Sequence, residues 1–150
     1  MPGFQTVLTL DGMGIVPYST RGAVQTLDYY EGAAANIYTD VNGVTRVAGG
    51  TQFQKYKSNI SCSDQRPIAA DGVWPGKIVT VGCIAELAYR TSEGPPSRTP
   101  VEGSEVVDTG SDYTIYRPLL TMMVMNLSIQ KNEWGAEVGW SMDLLEVQAP

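Results

Sequence analysis

The chain has 150 residues, a formal net charge of −6 and a pI of about 4.5. Proteins that bind nucleic-acid phosphates gain affinity from clustered Lys and Arg, so this net negative charge argues against specific nucleic-acid binding. The sequence contains no histidine, which removes the Ser-His-Asp and Cys-His mechanisms and most zinc sites. We therefore predict that the protein is not an enzyme and holds no metal or cofactor.

The composition favours a single all-β domain. Charged residues make up 17% of the chain and hydrophobic residues 43%, with 16 glycines and 9 prolines. Low charge and many turn-formers favour sheets, and the length suits one domain over residues 1–150. The first residues lack the features of a signal peptide, and no segment approaches the roughly 20 apolar residues that span a bilayer. We expect a soluble protein made in a cytosol, with no membrane partner.

The first 50 residues predict strands joined by glycine turns. A first strand is expected at 4–10, followed by a short apolar run at 15–16. Residues 21–31 could continue as a strand or form one helical turn, of which the strand is favoured, with a bend or a short helical piece at 32–35. Residues 36–49 give the clearest local signal. Asn42-Gly43 between β-formers is typical of a hairpin with a two-residue type I′ turn, in which both central residues have positive φ.

Two further strands, joined by a loop at 64–76, carry the cysteines. In residues 52–63 the apolar face holds Tyr56, Ile60 and Cys62. In residues 77–89 the apolar face consists of Val79, Val81, Cys83, Ala85 and Leu87. Cys62 and Cys83 could pair if these strands are neighbours. A chain without a secretion signal is usually reduced, however, so two buried thiols are the better prediction.

Residues 91–112 differ in character from the strands around them. They hold three prolines, three glycines, four serines and five acids against one arginine. This composition predicts a long acidic loop that is mobile in the isolated protein. One interpretation is an arm that reaches a neighbouring subunit, and the alternative is a disordered excursion.

The last third of the chain predicts one long antiparallel β-hairpin. In its first arm, 119–129, the odd positions from Met123 to Ile129 are apolar, and in its second arm, 136–147, the even positions from Ala136 to Leu144 are apolar. Folding over a turn at 131–134 places Ile129 opposite Ala136, Leu127 opposite Val138, Met125 opposite Trp140 and Met123 opposite Met142. A slip of one residue would oppose apolar to polar side chains, so burial should fix this register. The elements together predict an antiparallel β-sandwich or barrel with a long C-terminal hairpin and one long acidic loop.

No spacing of side chains singles out a catalytic, cofactor or metal site. The 16 carboxylates allow acid/base pairs such as Asp64 with Asp71 or Glu137 with Asp143. Solvated surface acids explain these residues better, because glycosidase-type chemistry needs one specific pair. We therefore predict no catalytic residues.

The aromatic residues leave a carbohydrate-binding alternative open. The side chains that could stack on sugars are Trp74, Trp134, Trp140, Tyr29, Tyr30 and Tyr38. Trp140 lies on the predicted apolar face of the hairpin and is expected in the core. Trp74 in a loop and Trp134 at the hairpin tip are candidates for contacts with another subunit, since aromatic residues are enriched at interface cores.

Three blocks of the sequence resemble small structural proteins from the virions of tailed bacteriophages. They are residues 52–67 (QFQKYKSNISCSDQRP), residues 71–76 (DGVWPG), and the ending from Tyr116-Arg117-Pro118 through 133–136 (EWGA) to Trp140. The resemblance covers roughly residues 52–147 and is one of overall pattern.

The resemblance implies a non-enzymatic homo-oligomer in the virion, of the tail-tube, neck or baseplate type, assembled in the host cytoplasm with other virion proteins. In the tail-tube type, long hairpins join those of neighbours into a ring, for which a hexameric ring is one option. The C-terminal hairpin would then line the ring, residues 91–112 would contact the next ring, and DNA would pass through an acidic lumen. A capsid decoration protein and a carbohydrate-binding host-attachment module are the alternatives.

Overall fold

The structure, a computed structural model, describes residues 7–15, 19–34, 37–48, 51–135 and 137–148. Its strands are β1 Thr9–Asp11, β2 Val24–Tyr29, β3 Ile37–Thr39, β4 Thr45–Val47, β5 Tyr56–Asp64, β6 Ile78–Gly82, β7 Leu87–Arg90, β8 Thr99–Pro100, β9 Val106–Asp108, β10 Tyr113–Tyr116, β11 Pro118–Lys131 and β12 Val138–Glu146. The helical segments are α1 Glu31–Ala34 and the 3₁₀ turns Thr51–Phe53 and Thr91–Glu93. The predicted all-β class is confirmed.

The C-terminal hairpin lies in the middle of the large antiparallel sheet. The strand order is β1-β6-β11-β12-β5-β2, and the short β8 pairs with the start of β11. A second sheet has the order β7-β10-β9, and β3 pairs with β4 as a separate hairpin. The predicted hairpin is therefore confirmed, and its two arms hold the other strands in place.

The core lies on one face of the large sheet. It contains Val79 and Val81 of β6, Met122 and Val124 of β11, and Trp140, Met142 and Leu144 of β12. Ile68, Ala70, Met13 and Ile15, from the loops around the sheet, close over these residues. The predicted burial of Val138, Trp140, Met142 and Leu144 is confirmed.

The large sheet curls around this core. The side chain of Gln25 on the edge strand β2 accepts hydrogen bonds from the backbone N–H groups of Ile84 (2.7 Å) and Ala85 (3.2 Å), which follow β6 near the other edge. In the described part of the chain, β1 and β2 are not paired with each other. Over these described residues the sheet is therefore curled but open.

The register of the C-terminal hairpin differs from the predicted one. Leu127 lies opposite Met142 and Ile129 opposite Trp140, which is four residues away from the expected pairing. The connection is longer than predicted because Asn132 organises a turn inside it. Its side chain accepts a hydrogen bond from Trp134 N–H (3.0 Å), and its carbonyl accepts one from Gly135 N–H (3.1 Å). Ala136, one of the predicted partners, lies outside the described residues.

A β-bulge at Met125 also changes which residues of β11 face the core, compared with the prediction. The register shifts there, so Met122 and Val124 face the core before it and Leu127 packs against the core beyond it. The prediction that Met123 and Met125 face the core is wrong. A bulge inserts one residue on one strand only, and alternation in sequence carries no sign of it.

The predictions for the first 35 residues are partly confirmed. The strand predicted at 21–31 is β2, and α1 is the expected short helical piece, although Ala35 lies outside the described residues. The first strand is limited to β1, because its partner β6 ends at Gly82, opposite Thr9; residues 4–6 and Val16 lie outside the described part.

The hairpin predicted at 36–49 is present as β3 and β4, but its turn is not type I′. Only Gly43 has a positive φ (79°), and Asn42 does not. The carboxylate of Asp40 accepts hydrogen bonds from Asn42 N–H (2.9 Å) and Val44 N–H (3.0 Å), which favours a three-residue loop with glycine at the left-handed position. Asn36 and Gly49 lie outside the described residues.

The two strands that carry the cysteines are shorter than predicted. Residues 51–53 form a 3₁₀ turn before β5. The strand predicted at 77–89 is divided into β6 and β7, which belong to different sheets, because Gln25 captures the amides of Ile84 and Ala85. Cys62 and Cys83 are free and buried, as predicted; β11 and β12 separate their strands.

Residues 91–112 do not form one long loop. They contain a 3₁₀ turn and the strands β8 and β9, which pair with β11 and β10. Val101 N–H also donates to the carbonyl of Arg117 (2.8 Å). The prediction of one long loop without strands is wrong, because backbone hydrogen bonds pair parts of this segment with β10 and β11.

Two methionine substitutions test the position of the bulge. We expect Met122→Ala to lower the unfolding free energy by about 2–5 kcal/mol, since the side chain is fully buried and its removal leaves a cavity. Met125→Ala, at a side chain 49% exposed, should cost less than about 1 kcal/mol. Urea denaturation measures both, and a larger loss for Met125→Ala would place the odd positions in the core.

Candidate assembly surfaces

A buried ion pair fixes the segment that the sequence suggested as an arm. The Arg98 guanidinium donates to both carboxylate oxygens of Glu146 at 2.8 Å, with the two side chains only 11% and 5% exposed. Glu146 also accepts Tyr56 N–H (3.0 Å), and Arg98 donates to Gln54 O (3.0 Å). The pair therefore links residues 91–112 to the end of β12 and the start of β5.

A second arginine–carboxylate pair holds the segment before β2. Asp64 accepts hydrogen bonds from the Arg21 backbone N–H (2.8 Å) and guanidinium (2.9 Å), and this bonding holds the pKa of Asp64 below its ordinary value of 3.8. The indole N–H of Trp140 donates to Ser19 O (2.9 Å), which confirms that Trp140 belongs to the core.

The other acid/base candidates are not brought together. Asp71 lies exposed in a turn, and the partner of Asp64 is Arg21 instead. On the outer face of the sheet, Asn59 of β5 donates to Asp143 (2.7 Å), whereas Ser63 donates to Glu137 (3.2 Å). Each acid of the polar hairpin face therefore has its own partner on β5, and the arrangement is structural.

The buried thiols are poorly suited to nucleophilic chemistry. Burial raises the pKa of Cys83 to about 11 and also raises the pKa of Cys62. Both thiols are thus protonated at neutral pH, and the thiolate is the reactive form.

Neither a metal centre nor a spanning helix is found in the described ranges. No group of three or more His, Cys, Asp or Glu side chains there could hold a metal ion. No helix in the same part of the chain is long and apolar enough to cross a bilayer.

The β3–β4 hairpin exposes apolar side chains without packing them on another sheet. All six of its strand residues are exposed, and no other described strand pairs with β3 or β4. Its exposed apolar residues are Ile37, Tyr38, Val41, Val44 and Val47. An isolated two-stranded hairpin is marginally stable in water, and clustered apolar exposure marks interaction surfaces. We call these residues, 37–48, the hairpin arm.

Further apolar exposure lies at the tip of the C-terminal hairpin and on the edge of the large sheet. Trp134 is 92% exposed at the tip, and Trp74 is 74% exposed in the loop before β6. On β2, Val24 and Tyr29 are exposed, and this strand pairs with β5 alone among the described strands. An edge strand of this kind can accept a strand from another chain.

Comparison of the chain with family models, with curated proteins and with solved structures gives no match. A functional proposal therefore rests on the fold, on the surfaces described above and on the pattern of the sequence itself.

Sequence reasoning missed the residues that fasten the loops to the sheet: Arg21, Gln25, Arg98 and Glu146. One signal was available for Arg98, because it is the single arginine in an otherwise acidic segment. Its partner lies 48 residues away in sequence, so the pairing itself required the fold.

Removing Glu146 tests the ion pair that holds residues 91–112. Glu146→Gln leaves the buried Arg98 without a counter-charge, and loss of one partner of a buried pair costs about 3–5 kcal/mol of unfolding free energy. Chemical denaturation measures the change. Glu93→Gln, which removes an exposed partner of Arg90, is the control and should cost less than about 1 kcal/mol. Equal losses would contradict a structural role for Arg98.

The lowered pKa of Asp64 predicts a pH-dependent contribution to stability. The stabilisation is complete above the ordinary value of 3.8, decreases below it, and is lost as the pH falls through the lower folded value. At pH 7 we expect Asp64→Asn to cost about 1–3 kcal/mol, with the difference from wild type shrinking below pH 4 or so. Asp71→Asn, at an exposed carboxylate, should follow the wild-type acid profile. A pH-independent cost of Asp64→Asn would contradict the assignment.

Proposed function

We propose that this chain is a non-enzymatic structural subunit of a tailed-bacteriophage virion, which assembles with copies of itself into a symmetric ring in the tail. Its partners are further copies and other virion proteins. The virion assignment is supported by the sequence resemblance over residues 52–147, and the assembly by the exposed surfaces.

The hairpin arm is the observation that carries the proposal. It has five exposed apolar side chains, with Val41 fully exposed, and it is a two-stranded element with no third strand in the described ranges. Such an element is ordered most effectively when another surface covers it. A neighbouring subunit supplies that surface in a ring, because every copy presents the same arm and the same body.

The organisation of the body also supports a structural role. The buried carboxylates of Asp64 and Glu146 each form an ion pair with an arginine. No buried side-chain polar atom in the described residues lacks a hydrogen-bond partner. A site for acid/base chemistry would instead keep a polar group poised for substrate. These polar clusters stabilise loops and leave the outer surfaces to make contacts.

Trp74 and Trp134 favour one alternative, a carbohydrate-binding attachment module, because both side chains are exposed and aromatic faces stack on sugars. A monomeric protein whose tryptophan fluorescence is quenched by host surface glycans would support that function. Small oligomers that bind only expanded capsids would support a capsid decoration protein.

Light scattering and negative-stain images of the purified protein test the assembly. We expect a mass that is a multiple of 16.2 kDa and ring-shaped particles. In β3 and β4, Ile37 lies opposite Val47, so Ile37→Ser/Val47→Ser removes a cross-strand apolar pair from the arm. We expect this variant to associate at least about tenfold more weakly, as for loss of a central interface contact.

The control is Ile78→Ser, which removes an exposed apolar side chain from β6 and should leave the mass unchanged. A wild-type protein that remains a monomer at high micromolar concentration would contradict the proposed function.

A further inference from the structure

A cationic groove lies beside the tip end of the C-terminal hairpin, where β11 ends and β12 begins. Its volume is about 520 Å³, and it is lined by Gln65, Arg66, Pro67, Ile129, Lys131 and Val138. The pairing of Val138 with Asp64 brings the two parts of the groove together. Its apolar floor between two cations suits a segment that carries both acidic and apolar side chains. We call it the groove.

The two cations of the groove are available for an external partner. Of the ten Lys and Arg residues, five form ion pairs with carboxylates: Arg21, Arg46, Lys57, Arg90 and Arg98. Arg66 and Lys131 form no ion pair with any described carboxylate, and Lys131 only approaches Gly135 O at 3.5 Å. Glu133 and Glu137, in the connection beyond, do not line the groove.

A surface of opposite charge surrounds β9. Glu102 and Glu105 are exposed and form no ion pair with a described cation, and Val106 and Val107 of β9 are also exposed. Among the described strands, β9 pairs with β10 alone, so its other edge is open. We call residues 102–108 the acidic edge.

The groove and the acidic edge lie at opposite ends of β11. The acidic edge is held near the start of β11, because Val101 N–H and the Ser104 hydroxyl contact the backbone of Arg117. The groove includes Lys131, the last residue of β11. A strand of this length spans roughly 40 Å, so one molecule cannot place its own acidic edge in its own groove.

We infer that the groove binds the acidic edge of a second copy of this chain. Arg66 and Lys131 face Glu102 and Glu105 across the contact, and Ile129 packs against one exposed valine of β9, because Val106 and Val107 point to opposite faces of that strand. The two surfaces differ, so the contact is heterologous and gives the assembly a direction. This inference rests on the proposed function, since it names the surfaces through which copies associate.

Charge reversal tests the contact. Arg66→Glu/Lys131→Glu and Glu102→Lys/Glu105→Lys should each weaken self-association about 100-fold or more, because like charges then meet at the interface. An equimolar mixture of the two variants restores the large species, since each reversed surface finds a complementary one. Light scattering follows the mass, and association of the wild type should weaken as salt is raised.

Lys55→Glu/Lys77→Glu is the matched control, because it changes the net charge equally at two cations that do not line the groove. It should leave the assembly intact. An assembled Arg66→Glu/Lys131→Glu variant would overturn the inference while the proposed function stands. Dissociated variants that the mixture fails to restore would mean that the groove binds another surface or an unrelated anion, which also overturns it. A wild-type protein that stays monomeric would contradict both the inferred contact and the proposed function.

Discussion

The position of β11 between β6 and β12 is the constraint on which the remaining structure depends. One edge of β11 pairs with β6 and the other with β12, so the strand connects the two halves of the large sheet. At the bulge, Val124 also bonds to the segment before β6 through both its N–H and its carbonyl. The bulge bends the strand, which lets one long hairpin serve both the core and the exposed tip.

Two arginine–carboxylate pairs then fasten the loops to this sheet. Arg98 holds the segment of β8 against Glu146 on β12, and Arg21 holds the approach to β2 against Asp64 on β5. Each carboxylate sits at the end of a strand, where the ladder no longer satisfies backbone groups, and each accepts a backbone N–H as well. The charges therefore organise loop backbone that hydrophobic burial alone would leave unspecified.

The regular strands were predictable from the sequence, and the long-range irregularities were not. β12 obeys period two from Val138 to Leu144, since it is paired on both edges and has no bulge. The divided strand at β6 and β7 depends on Gln25, and the order in residues 91–112 depends on Glu146, both far away in sequence. The hairpin arm was predictable as a hairpin from Asn42-Gly43. Its exposure was not, because packing depends on where the rest of the chain lies.

The distribution of charge gives a physical reason for directional assembly. A net charge of −6 makes copies of the chain repel one another at a distance. Association then requires local surfaces whose attraction exceeds this repulsion, and the groove offers the two cations Arg66 and Lys131 next to an apolar floor. A heterologous contact between opposite ends of β11 propagates without limit unless a rotation closes it. The hairpin arm is a separate surface, and its contact with a neighbour can supply the lateral closure that an end-to-end contact lacks.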